Sequence, residues 1–183
     1  DDVVGKVMEA GPADVETALA SASAYAIDWQ TTEPSVRAQA LQRAADLFEE
    51  HHIELMALAV REAGKSLPNA IAEIREAVDF LRYYAAQVEH APNTLALGPV
   101  TCISPWNFPL AIFTGQLAAA LAAGNVVLAK PAEQTPLIAH RAVQLLHAAG
   151  VPRGALQFLP GSGEIVGAGL SNHTRVKGVI YTG

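Results

Sequence analysis

Leu41, Ala44, Ala45 and Phe48 fall at i, i+3, i+4 and i+7, an apolar stripe on one face of a helix. The pattern runs that helix from Pro34 to Glu62 and ends it at Gly64. An earlier helix is predicted over Asp14 to Trp29. A third runs from about Pro68 to His90, with Ile71, Ile74, Val78 and Leu81 inward and Glu73, Arg75, Glu76 and Asp79 outward. Its proline fits the preference of the first helical turn. From Leu97 the texture changes to short apolar runs alternating with helical patterns. Strands are predicted at Val100–Ile103, Asn125–Ala129, Ala155–Leu159 and Gly178–Tyr181, with helices at Leu110–Ala123, Pro136–Ala149 and Glu164–Leu170 between them. Such alternation predicts an α/β fold, with N-terminal helices followed by a doubly wound parallel sheet. The division falls between residues 1–96, a helical part, and residues 97–183, the sheet-bearing part.

In sheets of this kind ligands bind outside the carboxyl ends of the strands. Asn107, Lys130, Gly161 and Gly183 all follow such ends, so the pattern predicts that they converge. Pro105-Trp106-Asn107-Phe108-Pro109 is stiffened by its two prolines and lies between a strand and a helix. An amide there can donate to a developing oxyanion, helped by the positive helix terminus. It can equally be a helix cap beside a buried tryptophan. Spacing leaves both readings open. Lys130 leaves its strand directly, and Pro131 fixes the exit. Its ammonium suits ribose or phosphate and Glu133 can accept from ribose, an arrangement that favours NAD over NADP because a carboxylate repels a 2′-phosphate. The competing reading is an exposed ion pair contributing about 0–1 kcal/mol.

Other motifs carry less. Gly161-Ser162-Gly163-Glu164-Ile165-Val166-Gly167 is one residue too long for a dinucleotide fingerprint and serves equally as a tight turn. Ala63-Gly64-Lys65-Ser66 imitates the end of a phosphate-binding loop, but position 59 is Ala and the segment follows a helix, which disfavours a phosphate-transferring enzyme. Cys102 lies inside an apolar strand, where a thiol is buried and inert unless a base stands beside it. His140 and His147 are two helical turns apart, about 10 Å, too far to share one metal ion.

Composition bounds the remaining classes. The chain has 183 residues, 51% hydrophobic and 16% charged, richer in apolar side chains than an ordinary soluble domain, so part of its surface is expected to be covered. A net charge of −6 with scattered basic residues gives no attraction for nucleic acid or anionic lipid. A single cysteine excludes an internal disulfide framework, and the lack of an opening signal segment points weakly to a cytoplasmic setting. Leu110–Ala129 approaches the length of a membrane span, but Gln116 and the Gly124-Asn125 break argue against one. Both ends read as cuts in a longer protein.

The segments Ile103 to Pro109, Gly124 to Pro136, Leu159-Pro160-Gly161 and Tyr181-Thr182-Gly183 resemble the aldehyde dehydrogenase superfamily in order and spacing. Arg61 to Ala70, with Arg82-Tyr83-Tyr84-Ala85, looks like the dehydrogenase part of bifunctional proline-utilisation proteins, which oxidises L-glutamate γ-semialdehyde to glutamate. The resemblance implies an NAD-dependent enzyme acting on a small aldehyde, with the whole protein a homo-oligomer. It implies Asn107 as oxyanion donor, Phe108 as a wall of the aldehyde pocket and Glu62 near its mouth. Lys130 and Glu133 would bind the adenosine ribose, Ile103, Ser104, Pro105 and Trp106 would line the cofactor cleft, Gly163 would approach the adenosine side, and Gly183 would begin the diphosphate turn. The family's cysteine nucleophile, whose thiohemiacetal precedes hydride transfer and hydrolysis, and its glutamate base fall outside these 183 residues, so the chain alone is expected to be inactive. Another aldehyde dehydrogenase, or a non-catalytic truncated module, is the alternative.

Overall fold

The computed structural model describes residues 3–88 and 95–183. Four helices come first: α1 (Pro12–Thr31), α2 (Pro34–Glu50), α3 (His52–Ala63) and α4 (Leu67–Gln87). The sheet-bearing part follows as β1 (Pro99–Ile103), α5 (Ala111–Ala122), β2 (Val126–Lys130), α6 (Pro136–Ala148), β3 (Leu156–Phe158), a π-helical turn (Gly163–Gly167), α7 (Ala168–Ser171) and β4 (Gly178–Tyr181). All strand pairs are parallel and the order is β3-β2-β1-β4. The chain steps outward from β1 through β2 to β3, then returns to the far side of β1. That reversal makes the carboxyl ends of β1 and β4 the switch point of a doubly wound sheet.

Three expectations are corrected. The helix predicted over Pro34–Glu62 is two helices, divided at His51, whose φ of −94° and ψ of 17° leave the helical region. His51 closes α2 through its N–H to the Leu47 carbonyl and opens α3 by accepting from Leu55 N–H, so the break costs little hydrogen bonding. It turns α3 onto α6. Second, the short helix expected at Glu164–Leu170 is a π turn, capped by the Ser162 hydroxyl accepting from Ile165 N–H at 3.2 Å, followed by α7. Third, the inward stripe of α4 is Ala70, Glu73, Ile74, Ala77, Val78, Leu81 and Ala85, while Ile71 is exposed. Glu73, expected outward, is 2% exposed. The predicted end of this helix at His90 lies outside the described residues.

The stop at Gly64 stands: its φ of 66° is the left-handed conformation that a side chain resists. Ser66 then caps α4 by accepting from Asn69 N–H. Trp29 is buried and donates its indole N–H to the Leu121 carbonyl at 3.1 Å, tying α1 to the end of α5. Arg37 stitches the same corner, donating to the carbonyls of Ala122 and Thr32. Its burial lowers its pKa, partly offset by Glu33.

α5 is buried almost throughout, between α4 and the sheet. Close approach to α4 needs Gly115, where an added Cβ would stand 2.8 Å from the Phe80 ring. Gly115→Ala is expected to destabilise the fold by about 1–3 kcal/mol through overpacking, read as a lower denaturation midpoint at unchanged slope in urea.

Candidate active site

Three strand ends are bound into one edge. The Ile103 carbonyl, at the end of β1, accepts from Thr182 N–H at 3.1 Å and from the Gln116 side-chain amide at 3.0 Å. The same amide reaches the Thr182 hydroxyl at 3.1 Å. Ser104 N–H donates to the Lys130 carbonyl at 3.3 Å, joining the exits of β1 and β2. Ile103, Ser104, Pro105, Thr182 and Gly183 therefore flank the switch point. Gln116 is buried and holds this junction from α5, although the sequence marked it only as a polar break in an apolar run.

Asn107 sits at the crest of the loop between β1 and α5, exposed between exposed Trp106 and Phe108. The cap reading fails here. The N-cap of α5 is Leu110, and the Leu110 and Ala111 N–H groups donate to Glu73 Oε2 at 3.1 and 2.9 Å. Among the described residues the Asn107 side chain makes no hydrogen bond. The tryptophan is 53% exposed, so the buried-tryptophan alternative fails with it. Lys65 Nζ lies 2.9 Å from Glu73 Oε1 and 4.4 Å from the centroid of the Phe108 ring. The sequence marks neither Glu73 nor Lys65 as a contact of this loop. The signal for Glu73 was available: alanines at positions 70 and 77 place it on the small-residue face of α4.

The second group lies at the exit of β2. Lys130 is buried and its ammonium stands 3.9 Å from Glu133 Oε1, so it is not half of an exposed surface pair. Burial lowers the Lys130 pKa, with Glu133 and Glu9 acting in the opposite sense. Glu133 Oε1 accepts from Gly163 N–H at 2.6 Å, which brings Lys130, Glu133 and Gly163 together. A Cβ at Gly163 would meet only that carboxylate oxygen within 4 Å.

Glu62, which the resemblance put near the aldehyde mouth, lies at the start of α6. Its two oxygens accept from Leu137 and Ile138 N–H at 2.7 and 2.9 Å, capping α6, and it lines one cavity with Glu133, Pro136 and Gly161. Burial raises its pKa and the two backbone donors pull it back. Cys102 is fully buried on the central strand, and burial pushes its thiol up to about 12. His147 Nδ1 is 2.8 Å from the Val151 carbonyl and His140 packs beside the Phe158 ring. Among the described residues no cluster of three metal-ligating side chains occurs, and no helix is long and apolar enough to cross a membrane.

The aldehyde dehydrogenase family model matches residues 1–183, the whole chain. The chain belongs to the aldehyde dehydrogenase family. Among curated members of this family it is 60% identical over 189 aligned positions to the bifunctional protein PutA of Klebsiella aerogenes and of Escherichia coli K12, covering all of this chain and 14% of each. It is 42% identical to the 1-pyrroline-5-carboxylate dehydrogenase of Anoxybacillus flavithermus, covering all of this chain and 38% of that protein. A crystal structure of a bifunctional proline utilization A protein superposes with a TM-score of 0.95 at 44% identity, over 99% of this chain and 20% of that one. The 1-pyrroline-5-carboxylate dehydrogenase from Thermus with bound NAD superposes with a TM-score of 0.91 at 36% identity, over 93% of this chain and 36% of that one. This aldehyde dehydrogenase segment thus spans a minor part of the relatives it matches.

Within the segment the buried thiol is predicted to be silent. The native chain should resist a disulfide reagent at pH 8 and release one thiol equivalent on unfolding. The folded thiol titrates above the unfolded one. Its contribution to stability is therefore fully present below pH 9 and lost as pH rises toward 12.

Proposed function

We propose that this chain is the cofactor-side part of an NAD-dependent aldehyde dehydrogenase that oxidises L-glutamate γ-semialdehyde, the open form of 1-pyrroline-5-carboxylate, to glutamate. The observation that carries the reading is the exposed Asn107 amide at the strand-end edge, which bonds no other described residue while Glu73 caps α5 in its place. Such an amide is available to donate to the oxyanion that forms when a thiolate adds to an aldehyde carbonyl. Cys102 is too deeply buried to be that thiolate, so the nucleophile comes from outside these 183 residues. The proline-utilisation and pyrroline-carboxylate relatives support the substrate class, and the NAD-bound relative supports the cofactor.

The residues present fit the cofactor. Residues 97–183 form the first half of its binding domain in this reading. Lys130 offers a buried ammonium, and Glu133 keeps Oε2 clear of the bond that holds Oε1 to Gly163, a pairing suited to the two hydroxyls of a ribose. Ile103, Ser104, Pro105 and Trp106 lie where the dinucleotide would cross the switch point, and Gly183 begins the turn toward its diphosphate. NAD, when bound, supplies the hydride acceptor. Asn107 orients and stabilises the reacting carbonyl, and Phe108 walls its pocket.

In the protein carrying this chain with the rest of the catalytic region, Asn107→Ala is expected to lower kcat with the semialdehyde by about 100-fold or more. An unchanged rate would reduce Asn107 to a loop residue. Glu133→Gln is expected to raise kcat/KM for NADP relative to NAD; unaltered selectivity would place its carboxylate away from the ribose.

A further inference from the structure

We infer that Lys65 and Glu73 are positioning residues for the oxyanion donor, a charged clamp that fixes the Asn107-Phe108 crest from the helical part of the chain; the inference rests on the proposed role of Asn107. Glu73 is 2% exposed, in the middle of α4. A carboxylate so placed carries a desolvation cost of several kcal/mol unless its lone pairs are used. Here Oε2 takes both the Leu110 and Ala111 N–H groups, the free donors at the start of α5, and Oε1, without a hydrogen-bond donor among the described residues, is balanced by the Lys65 ammonium 2.9 Å away. Charge-assisted bonds of this kind are about twice as strong as neutral ones.

The position of these bonds gives the clamp its function. They close the C-terminal end of the loop three and four residues after Asn107. The N-terminal end is closed by Ser104 N–H on the Lys130 carbonyl and by the Gln116 amide on the Ile103 carbonyl. Between these anchors the Lys65 ammonium lies over the Phe108 ring, 4.4 Å from its centroid, with the lysine side chain 13% exposed. Lys65 thus joins the two devices: it neutralises the carboxylate that caps α5 and steadies the ring next to the donor. It reaches that place because Gly64, in the left-handed conformation, turns the chain out of α3 just before it. The Gly64-Lys65-Ser66 run that imitates a phosphate loop has this positioning role.

The test is a double-mutant cycle in the complete enzyme, with L-glutamate γ-semialdehyde and NAD. Glu73→Gln and Lys65→Met are each expected to lower kcat by about 10- to 100-fold with KM for NAD unchanged, the range a displaced catalytic group produces. In an Asn107→Ala background each should cost less than about twofold, because the clamp acts through the amide already removed. Equal losses in both backgrounds would overturn the inference by making the pair a plain stability element; full activity of both single variants would overturn it too. If Glu73→Gln does not fold, the Lys65→Met cycle gives the same decision. An enzyme without semialdehyde oxidation, or with normal kcat in Asn107→Ala, would sink the proposed function instead. The clamp would then stand or fall on amide exchange: Leu110 and Ala111 should exchange faster in Glu73→Gln, and unchanged rates would refute it.

Discussion

The order of the parallel sheet is the constraint on which the rest of the molecule depends. Because the chain leaves β1 in one direction and comes back on its other side, the exits of β1 and β4 lie side by side at the switch point of the sheet. The two exits have to be joined without leaving polar backbone unpaired. The Ile103 carbonyl does this by accepting from Thr182 and from Gln116, one acceptor serving a neighbouring strand and the helix behind it. Loops leaving such a junction start from fixed positions. That rigidity fixes where the loop carrying Asn107 departs from the sheet.

The helical part is not a separate cap on this sheet. α4 packs along α5 and sends Glu73 into its first turn, α3 packs on α6 and sends Glu62 into its first turn, and α1 and α2 tie to the end of α5 through Trp29 and Arg37. Two sheet helices therefore begin on carboxylates borrowed from earlier helices. The solution is electrostatically sensible, since a helix N-terminus favours negative charge. It also couples loop geometry at the strand ends to the packing of elements remote in sequence.

Much of this was legible from residue pattern. Alternation after Leu97 gave the strands and their parallel sense, and Gly64 marked a helix end through its backbone freedom. The His51 break was hidden because neither glycine nor proline marks it; its cause is tertiary, the need of α3 to turn onto α6. The inward carboxylates were hidden for a related reason. Periodicity sorts residues by polarity, and Glu73 and Glu62 are polar residues whose partners are backbone N–H groups about 40 and 75 positions away. At Asn107 the sequence left a cap and a donor in balance. The bonds from Leu110 and Ala111 N–H to Glu73 remove the cap reading.

The contact between Glu133 and Gly163 has a thermodynamic consequence for any diol that docks there. One carboxylate oxygen already accepts from a backbone N–H at 2.6 Å, which orients the residue before a ligand arrives. A hydroxyl that uses the remaining oxygen leaves the turn in place and binds to a preformed partner. A second hydroxyl that approaches Oε1 shares that oxygen with the Gly163 amide, whose bond occupies one of its two lone pairs. The Gly163 bond thereby fixes the carboxylate before any hydroxyl arrives, so little side-chain freedom is left to lose on docking.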